Sequence, residues 1–169
     1  MALADVTVRS AEPHDADAVA AIYNYGIAER QATFETRPRR PNEVIGWLEE
    51  GRPFVVASDA TGRIVGFAKV GAYSTRRAYA GVGEHAVYVA PDARGQGVGV
   101  KLLHALAAVS EGAGYYKLTS RVFTTNTASL NLHRAAGFTV VGVQRRHGRL
   151  DDEWMDTVLV ERLLGEAAE

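Results

Sequence analysis

Residues 89–99 read Val89-Ala90-Pro91-Asp92-Ala93-Arg94-Gly95-Gln96-Gly97-Val98-Gly99. Upstream, residues 81–90 read as a strand. Downstream, Val98, Leu102, Leu103, Leu106 and Val109 recur at helical spacing until Gly112 and Gly114 break the pattern. A glycine loop between a strand and a helix suits anion binding, because unblocked N–H groups at a helix start converge on the ligand and the macrodipole adds attraction. Two common nucleotide loops do not fit. A dinucleotide fingerprint starting at Gly95 needs a third glycine where Val100 stands, and a Walker A loop needs Gly-Lys-Ser/Thr at its end. The spacing present is Arg94-x-x-Gly97-x-Gly99 after Val-x-Pro.

Working outward, residues 5–10 alternate as a short strand, and Val19, Ile22, Tyr23, Gly26 and Ile27 follow helical spacing behind the polar turn at Pro13 to Asp15. Pro41 to Glu50 reads as a second helix with Val44, Trp47 and Leu48 on one face, stopped by Gly51 and Pro53. Residues 53–58 and 63–73 flank Asp59-Ala60-Thr61-Gly62 as a hairpin. After the glycine loop and its helix come a strand at Tyr115 to Phe123, a helix from Asn126 to Ala136 ended by Gly137, and strands over residues 138–147 and 153–163. The predicted order is β-α-α-β-β-β-α-β-α-β-β. This is a mixed α/β sheet flanked by helices, with hairpins joining its early strands and helical crossovers its later ones.

The chain has 169 residues, a length suited to a single domain over 1–169, and no repeat or Gly/Ser linker divides it. With 47% hydrophobic residues, 23% charged residues and a net charge of −1, it matches neither a disordered chain, a membrane span nor a nucleic-acid-coating protein. Residues 1–9 carry Asp5 and no long apolar run, so neither secretion signal nor anchor is expected and a cytoplasmic location follows. There is no cysteine. Disulfides, thiolate metal sites and acyl transfer through an enzyme sulfur are therefore excluded, and no metal is expected.

The glycine segment resembles the acetyl-CoA pyrophosphate loop of the GCN5-related N-acetyltransferase (GNAT) superfamily, whose fold has the same element order. The resemblance places the pyrophosphate on the amides of Arg94, Gly95, Gln96, Gly97, Val98 and Gly99, with Arg94 adding charge. A second motif supports it. Asn126, Ser129, Leu132, His133, Gly137 and Phe138 resemble the family's Asn, small residue, Leu-Tyr and terminal Gly-Phe pattern on the helix after the fifth strand. The family's tyrosine, which returns a proton to the leaving CoA thiolate, is His133 here. Imidazole suits that task near neutral pH, or the relay of a proton from the substrate, and the alternative is a core-edge histidine with satisfied nitrogens. Asn126 caps its helix or, as the resemblance implies, contacts the pantetheine or the leaving group, and the resemblance makes Ser129 a cofactor contact as well.

Histidine at that position narrows the resemblance to phosphinothricin N-acetyltransferases and relatives acting on methionine sulfone, methionine sulfoximine or arsinothricin, with the detoxification or antibiotic resistance such activity confers. Thr33-Phe34-Glu35-Thr36 resembles their loop between the first two helices. Arg76-Arg77-Ala78-Tyr79 resembles their Arg-x-x-Tyr, Glu84-His85-Ala86-Val87-Tyr88-Val89 their Glu-x-x-Val-Tyr-Val, and Trp154-Met155-Asp156 their Trp-x-Asp. The family's glycine two places before that tryptophan is Asp152 here.

An α-amine, with a reference pKa of about 7.7–8.0, must lose its proton before attacking a thioester. Glu84 is the expected general base, directly or through a water, unless it serves only to pair with a nearby arginine. Backbone amides near Tyr88 and Val89 are expected to stabilise the oxyanion. Arg76 and Arg77 offer forks for an acidic substrate group, and neighbours on a strand would face opposite ways. Arg77, two residues before Tyr79, is the expected contact, with Phe34, Glu35 and Tyr79 walling the rest of the substrate.

Residues 63–101 hold six basic and two acidic residues, a local surplus where an anionic cofactor and substrate would bind. Without cysteine, the amine must attack acetyl-CoA directly in a ternary complex. Two alternatives stand beside acetylation of an amino-acid analogue: transfer to a protein N-terminus or polyamine, for which an open acidic groove is expected, and a non-catalytic CoA-sensing module, which needs only the glycine loop. The partners expected are acetyl-CoA and a small amine, with no nucleic acid and no membrane. The apolar final strand (Val158, Leu159, Val160, Leu163 and Leu164) and the resemblance suggest a homodimer.

Overall fold

In a computed structural model, residues 5–169 are described. The order is β1 (Thr7–Ser10), α1 (Ala16–Glu29), α2 (Pro41–Glu49), β2 (Phe54–Ser58), β3 (Ile64–Ala72), β4 (Val82–Val89), α3 (Val98–Gly112), β5 (Lys117–Phe123), α4 (Thr127–Ala135), β6 (Thr139–Leu150) and β7 (Glu153–Leu163), with short 3-10 turns between. It matches the predicted order throughout.

The seven strands lie in the order β1-β2-β3-β4-β5-β7-β6. Strand direction is more uniform than the connections suggest. The α1–α2 connection returns the chain so that β1 and β2 pair antiparallel, and among the described strands only β4 and β5, linked through α3, run parallel. The hairpin strand β7 inserts between β5 and β6, so the α4 connection skips a place in the sheet. β4 and β5 are in register only from Val82 to Glu84 and from Lys117 to Thr119. Beyond Glu84 and Thr119 the two strands part, opening a cleft in the middle of the sheet.

The helical stripes bury Val19, Ile22 and Ile27 from α1, Val44 from α2 and Leu102, Leu103 and Leu106 from α3 against Val55, Val56, Phe67 and Leu118 of the sheet. Val109, part of the expected α3 stripe, lies largely in solvent at the end of its helix. Val158, Val160 and Leu164, offered above as a surface for a second chain, are buried in the protein's own core because β7 is an interior strand. Leu163 at the end of β7 is exposed, and the exposed aliphatic side chains that cluster among the described residues are Val140, Val141 and Val143 of edge strand β6.

The β6–β7 turn explains Asp152. Asp151 and Asp152 have φ of 48° and 66°, both positive, as a two-residue type I′ hairpin turn requires. The position the family fills with glycine is therefore one that needs left-handed backbone, and an aspartate occupies it here.

Candidate active site

The cleft between β4 and β5 has a volume of about 600 Å³ and is closed by the glycine loop, the start of α3, the end of α1 and one face of α4. Gly95 and Gly97 have positive φ, 74° and 81°. Gly97 caps α3 without a side chain over the helix end. Among the described residues the amides from Gly95 to Val100 donate to no backbone acceptor, the first intrahelical bond being Lys101 N–H to the Gly97 carbonyl, so they are free to bind an anion. Gly99 has a different role. A Cβ there would lie 2.8 Å from a methyl of Leu132, so this glycine lets α3 approach α4.

The chain commits several expected ligands to its own structure. Arg94 borders the cleft, but its guanidinium makes a two-pronged pair with Glu29 at 2.7 and 2.8 Å and donates to the Val89 carbonyl at 3.0 Å, clamping the loop to α1. This pair holds the Glu29 carboxyl below its ordinary value. The Asn126 Oδ1 accepts from the Ser129 amide at 3.1 Å, capping α4, while its Nδ2 donates to the Gln31 carbonyl at 3.0 Å. Asn126 and Ser129 both still face the cleft.

His133 is almost wholly buried. Its Nδ1 lies 2.7 Å from the Ser129 carbonyl and its Nε2 lies 3.0 Å from the Nε2 of His85. A carbonyl only accepts, so Nδ1 carries the proton, and in the neutral ring Nε2 then accepts from His85. Burial lowers the His133 pKa, and burial with His133 alongside pushes His85 down to about 3. Both imidazoles are neutral near pH 7, and His133 has no nitrogen left for a thiolate.

Glu84 stands where β4 and β5 begin to part. Its Oε1 accepts from Arg121 Nη1 at 3.3 Å, and Arg121 Nε donates to Gln144 at 3.2 Å. Arg121 lines the cleft. Along β4, Ala90 N–H bonds the Val65 carbonyl on the β3 side, so alternation directs the Tyr88 amide to β3 and the amides of Val87 and Val89 into the cleft. The Tyr88 ring stacks on Phe67 at 5.4 Å and meets Tyr23 edge-on at 5.1 Å, and burial raises its pKa.

On the α1–α2 side of the sheet a second cavity of about 340 Å³ shares Ala86 and Tyr88 with the cleft and is bordered by Glu35, Arg39 and Lys69. The other expected substrate contacts lie elsewhere. Arg76 and Arg77 belong to an exposed 3-10 turn and not to a strand, so strand alternation does not decide their directions. Tyr79 is exposed against Arg76 and Tyr73. Phe34 packs edge-on against Phe123 at 4.8 Å. Arg77, Tyr79 and Phe34 line neither cavity.

Residues 20–138 match the family model described as acetyltransferase (GNAT) family. The chain belongs to the GNAT acetyltransferase family. It is 40% identical over 163 residues to a phosphinothricin N-acetyltransferase of Alcaligenes faecalis, spanning 94% of this chain and 82% of that one. It is 32% identical over 169 residues to an L-methionine sulfoximine/L-methionine sulfone acetyltransferase of Pseudomonas aeruginosa, with 92% of each covered. A GNAT superfamily phosphinothricin acetyltransferase from Sinorhizobium meliloti, solved with acetyl-CoA, superposes with a TM-score of 0.89 at 31% identity, covering 96% of this chain and 90% of that one. An acetyltransferase from Salmonella typhimurium, also solved with acetyl-CoA, gives 0.90 at 28% identity over 98% and 97%. The free amides at the start of α3 and the open edge of β4 fit this GNAT cofactor.

Sequence reasoning passed over four polar residues: His85, Arg121, Arg39 and Lys69. Two had a signal. Lys69 is the one charge in the apolar run Ile64–Ala72, and His85 adjoins the expected base.

Proposed function

We propose that this GNAT acetyltransferase transfers acetyl from acetyl-CoA to the α-amino group of a small amino-acid analogue of the phosphinothricin, methionine sulfoximine, methionine sulfone or arsinothricin type, by direct attack in a ternary complex. The observation that carries this reading is the Glu84–Arg121 pair at 3.3 Å where the sheet opens. A carboxylate beside a guanidinium is complementary to an α-amino acid, whose ammonium and carboxylate have the opposite charges at a similar separation.

The acceptor's ammonium takes Arg121's place beside Glu84 while its carboxylate goes to Arg121. Glu84 then removes a proton from the amine, directly or through a water. Acetyl-CoA supplies the thioester carbonyl that the free amine attacks; the C–N bond forms, the C–S bond breaks, and CoA leaves as a thiolate that takes its proton from solvent, while the amides from Gly95 to Val100 are suited to its pyrophosphate. The inward amide of Val89 is placed to donate to the negative charge developing on the acyl oxygen. His133, neutral and bonded at both nitrogens, positions α4 against β4 and stands outside the proton path. Arginine beside the base is hard to reconcile with polyamine acceptors, which bring only positive charge. The conjunction of base, guanidinium and second cavity exceeds what cofactor sensing needs.

The test is thiol release from acetyl-CoA with phosphinothricin, methionine sulfoximine, methionine sulfone and ordinary amino acids, using wild type and Glu84→Gln. Turnover of at least one analogue, with kcat lowered about 100-fold or more in Glu84→Gln and acetyl-CoA affinity retained, is expected. Absence of turnover on every amino acid rejects the acceptor class, and an unchanged kcat removes Glu84 as base.

We further propose that the protein is a homodimer joined through the exposed valines of edge strand β6, as an unpaired, apolar edge favours a second strand.

A further inference from the structure

Lys69 lies on β3 in register with Ala86, and Gly71 is in register with Glu84. Paired residues of an antiparallel ladder point to the same face, so Lys69 stands one diagonal step from Glu84, about 7–8 Å along the sheet. Gly71 puts no side chain between them, and even a Cβ there would meet nothing closer than the Glu84 carbonyl at 3.7 Å. Lys69 borders the second cavity together with Ala86, its partner across the ladder, two residues from Glu84 on β4.

The Lys69 ammonium faces the second cavity with its charge unspent. Among the described residues it forms no ion pair and no hydrogen bond, and its only polar-type contact is the Trp47 ring, 4.7 Å from Nζ to the centroid. The carboxylates around it are already engaged. Glu50 is paired with Arg52, and Glu35 with Arg39 at 2.9 Å. Burial lowers the Lys69 pKa, a cost that a bound anion would relieve. The inward neighbour Phe67 is fully buried and apolar, so a cation at the next inward position is out of keeping with plain core packing.

We propose that Lys69 is a specificity-determining residue of the acceptor site, binding an oxyanion at the side-chain end of the amino acid whose α-amine is held at Glu84. The class this favours is a glutamate-like acceptor ending in phosphinate or carboxylate, whose two methylenes bridge the diagonal step. A neutral sulfone or sulfoximine gains less from the same ammonium. This inference rests on the proposed acetylation of amino-acid analogues and names the member of that class the pocket fits.

The experiment compares kcat/KM for phosphinothricin and methionine sulfone at saturating acetyl-CoA in wild type, Lys69→Met and Lys69→Arg. Wild type is expected to favour phosphinothricin. Lys69→Met should lose about 10- to 100-fold on phosphinothricin, the range for a charged hydrogen bond, and less than about threefold on methionine sulfone. Lys69→Arg should retain most of the phosphinothricin activity, showing that charge and not shape is responsible. An equal loss on both acceptors, or no loss on either, overturns the assignment. Wild-type inactivity on every amino acid would instead reject the acceptor class itself, and the assignment with it.

Discussion

The Nε2 atoms of His85 and His133 lie 3.0 Å apart with both rings buried, joining β4 to α4 by a bond between two neutral imidazoles. This has a pH consequence with a definite sign. Each ring takes up a proton near 6.5 when the chain unfolds but resists it when folded, His85 down to about 3. Below pH 6.5 the unfolded state binds more protons, so stability falls with falling pH, with a slope approaching about 1.4 kcal/mol per pH unit for His85 until its folded value of about 3, and His133 adds to the fall in the same direction. Urea unfolding between pH 4.5 and 7.5 should show this slope, and His85→Gln should reduce it. A slope unchanged by that substitution would assign the acid sensitivity to other groups. In the same way, His133→Ala should leave the acidic limb of the kcat profile where it is, and a displaced limb would return His133 to proton transfer.

Arg121 bonds both the base and Gln144. If it receives the acceptor's carboxylate, Arg121→Ala should lower kcat/KM for amino-acid acceptors about 10- to 100-fold while the KM for acetyl-CoA stays within about twofold. A faster enzyme would mean that the arginine merely restrains Glu84.

Gly26 of α1 faces the Tyr88 ring so closely that a Cβ would come within 2.8 Å of two ring carbons. Gly26→Ala should displace Tyr88, which borders both cavities, and destabilise the fold by about 1–3 kcal/mol. Denaturant midpoints test the stability, and acetyl-CoA titration should show weakened binding. Wild-type values for both would mean that α1 shifts without cost.

Asp152 adopts the φ of 66° that glycine prefers. Asp152→Gly should relieve this strain and raise stability by about 0.5–1 kcal/mol, seen as a higher Tm. A lower Tm would indicate that the aspartate is a better turn former here than glycine.

Val141 and Val143 are each more than half exposed on edge strand β6. Sedimentation at micromolar concentration should give the dimer mass, and Val141→Lys with Val143→Lys should give the monomer. A wild-type monomer mass would rule the dimer out.

The parts of the fold that depend on near neighbours were legible in the residues. Helical spacing identified α1, α2 and α3, the end signals Asn126 and Gly137 identified α4, the Asp59–Gly62 turn identified the β2–β3 hairpin, and the glycine run identified the loop that opens α3. The directions of Arg76 and Arg77 were harder to read because Arg76-Arg77-Ala78-Tyr79 looks the same on a strand as on the exposed turn that carries it.

The amino-acid sequence by itself determined the order of elements, the free amides at the start of α3 and the absence of a sulfur nucleophile, because periodicity, glycine and composition act within a few residues. Tertiary structure alone decided where β7 inserts, how far β4 and β5 stay together, and which side chains are consumed by internal contacts. Arg94 meets Glu29 from 65 residues away, His133 meets His85 from 48, and Arg121 meets Glu84 from 37. These contacts come from packing that closes long loops, and no local pattern encodes the partner each side chain finds there.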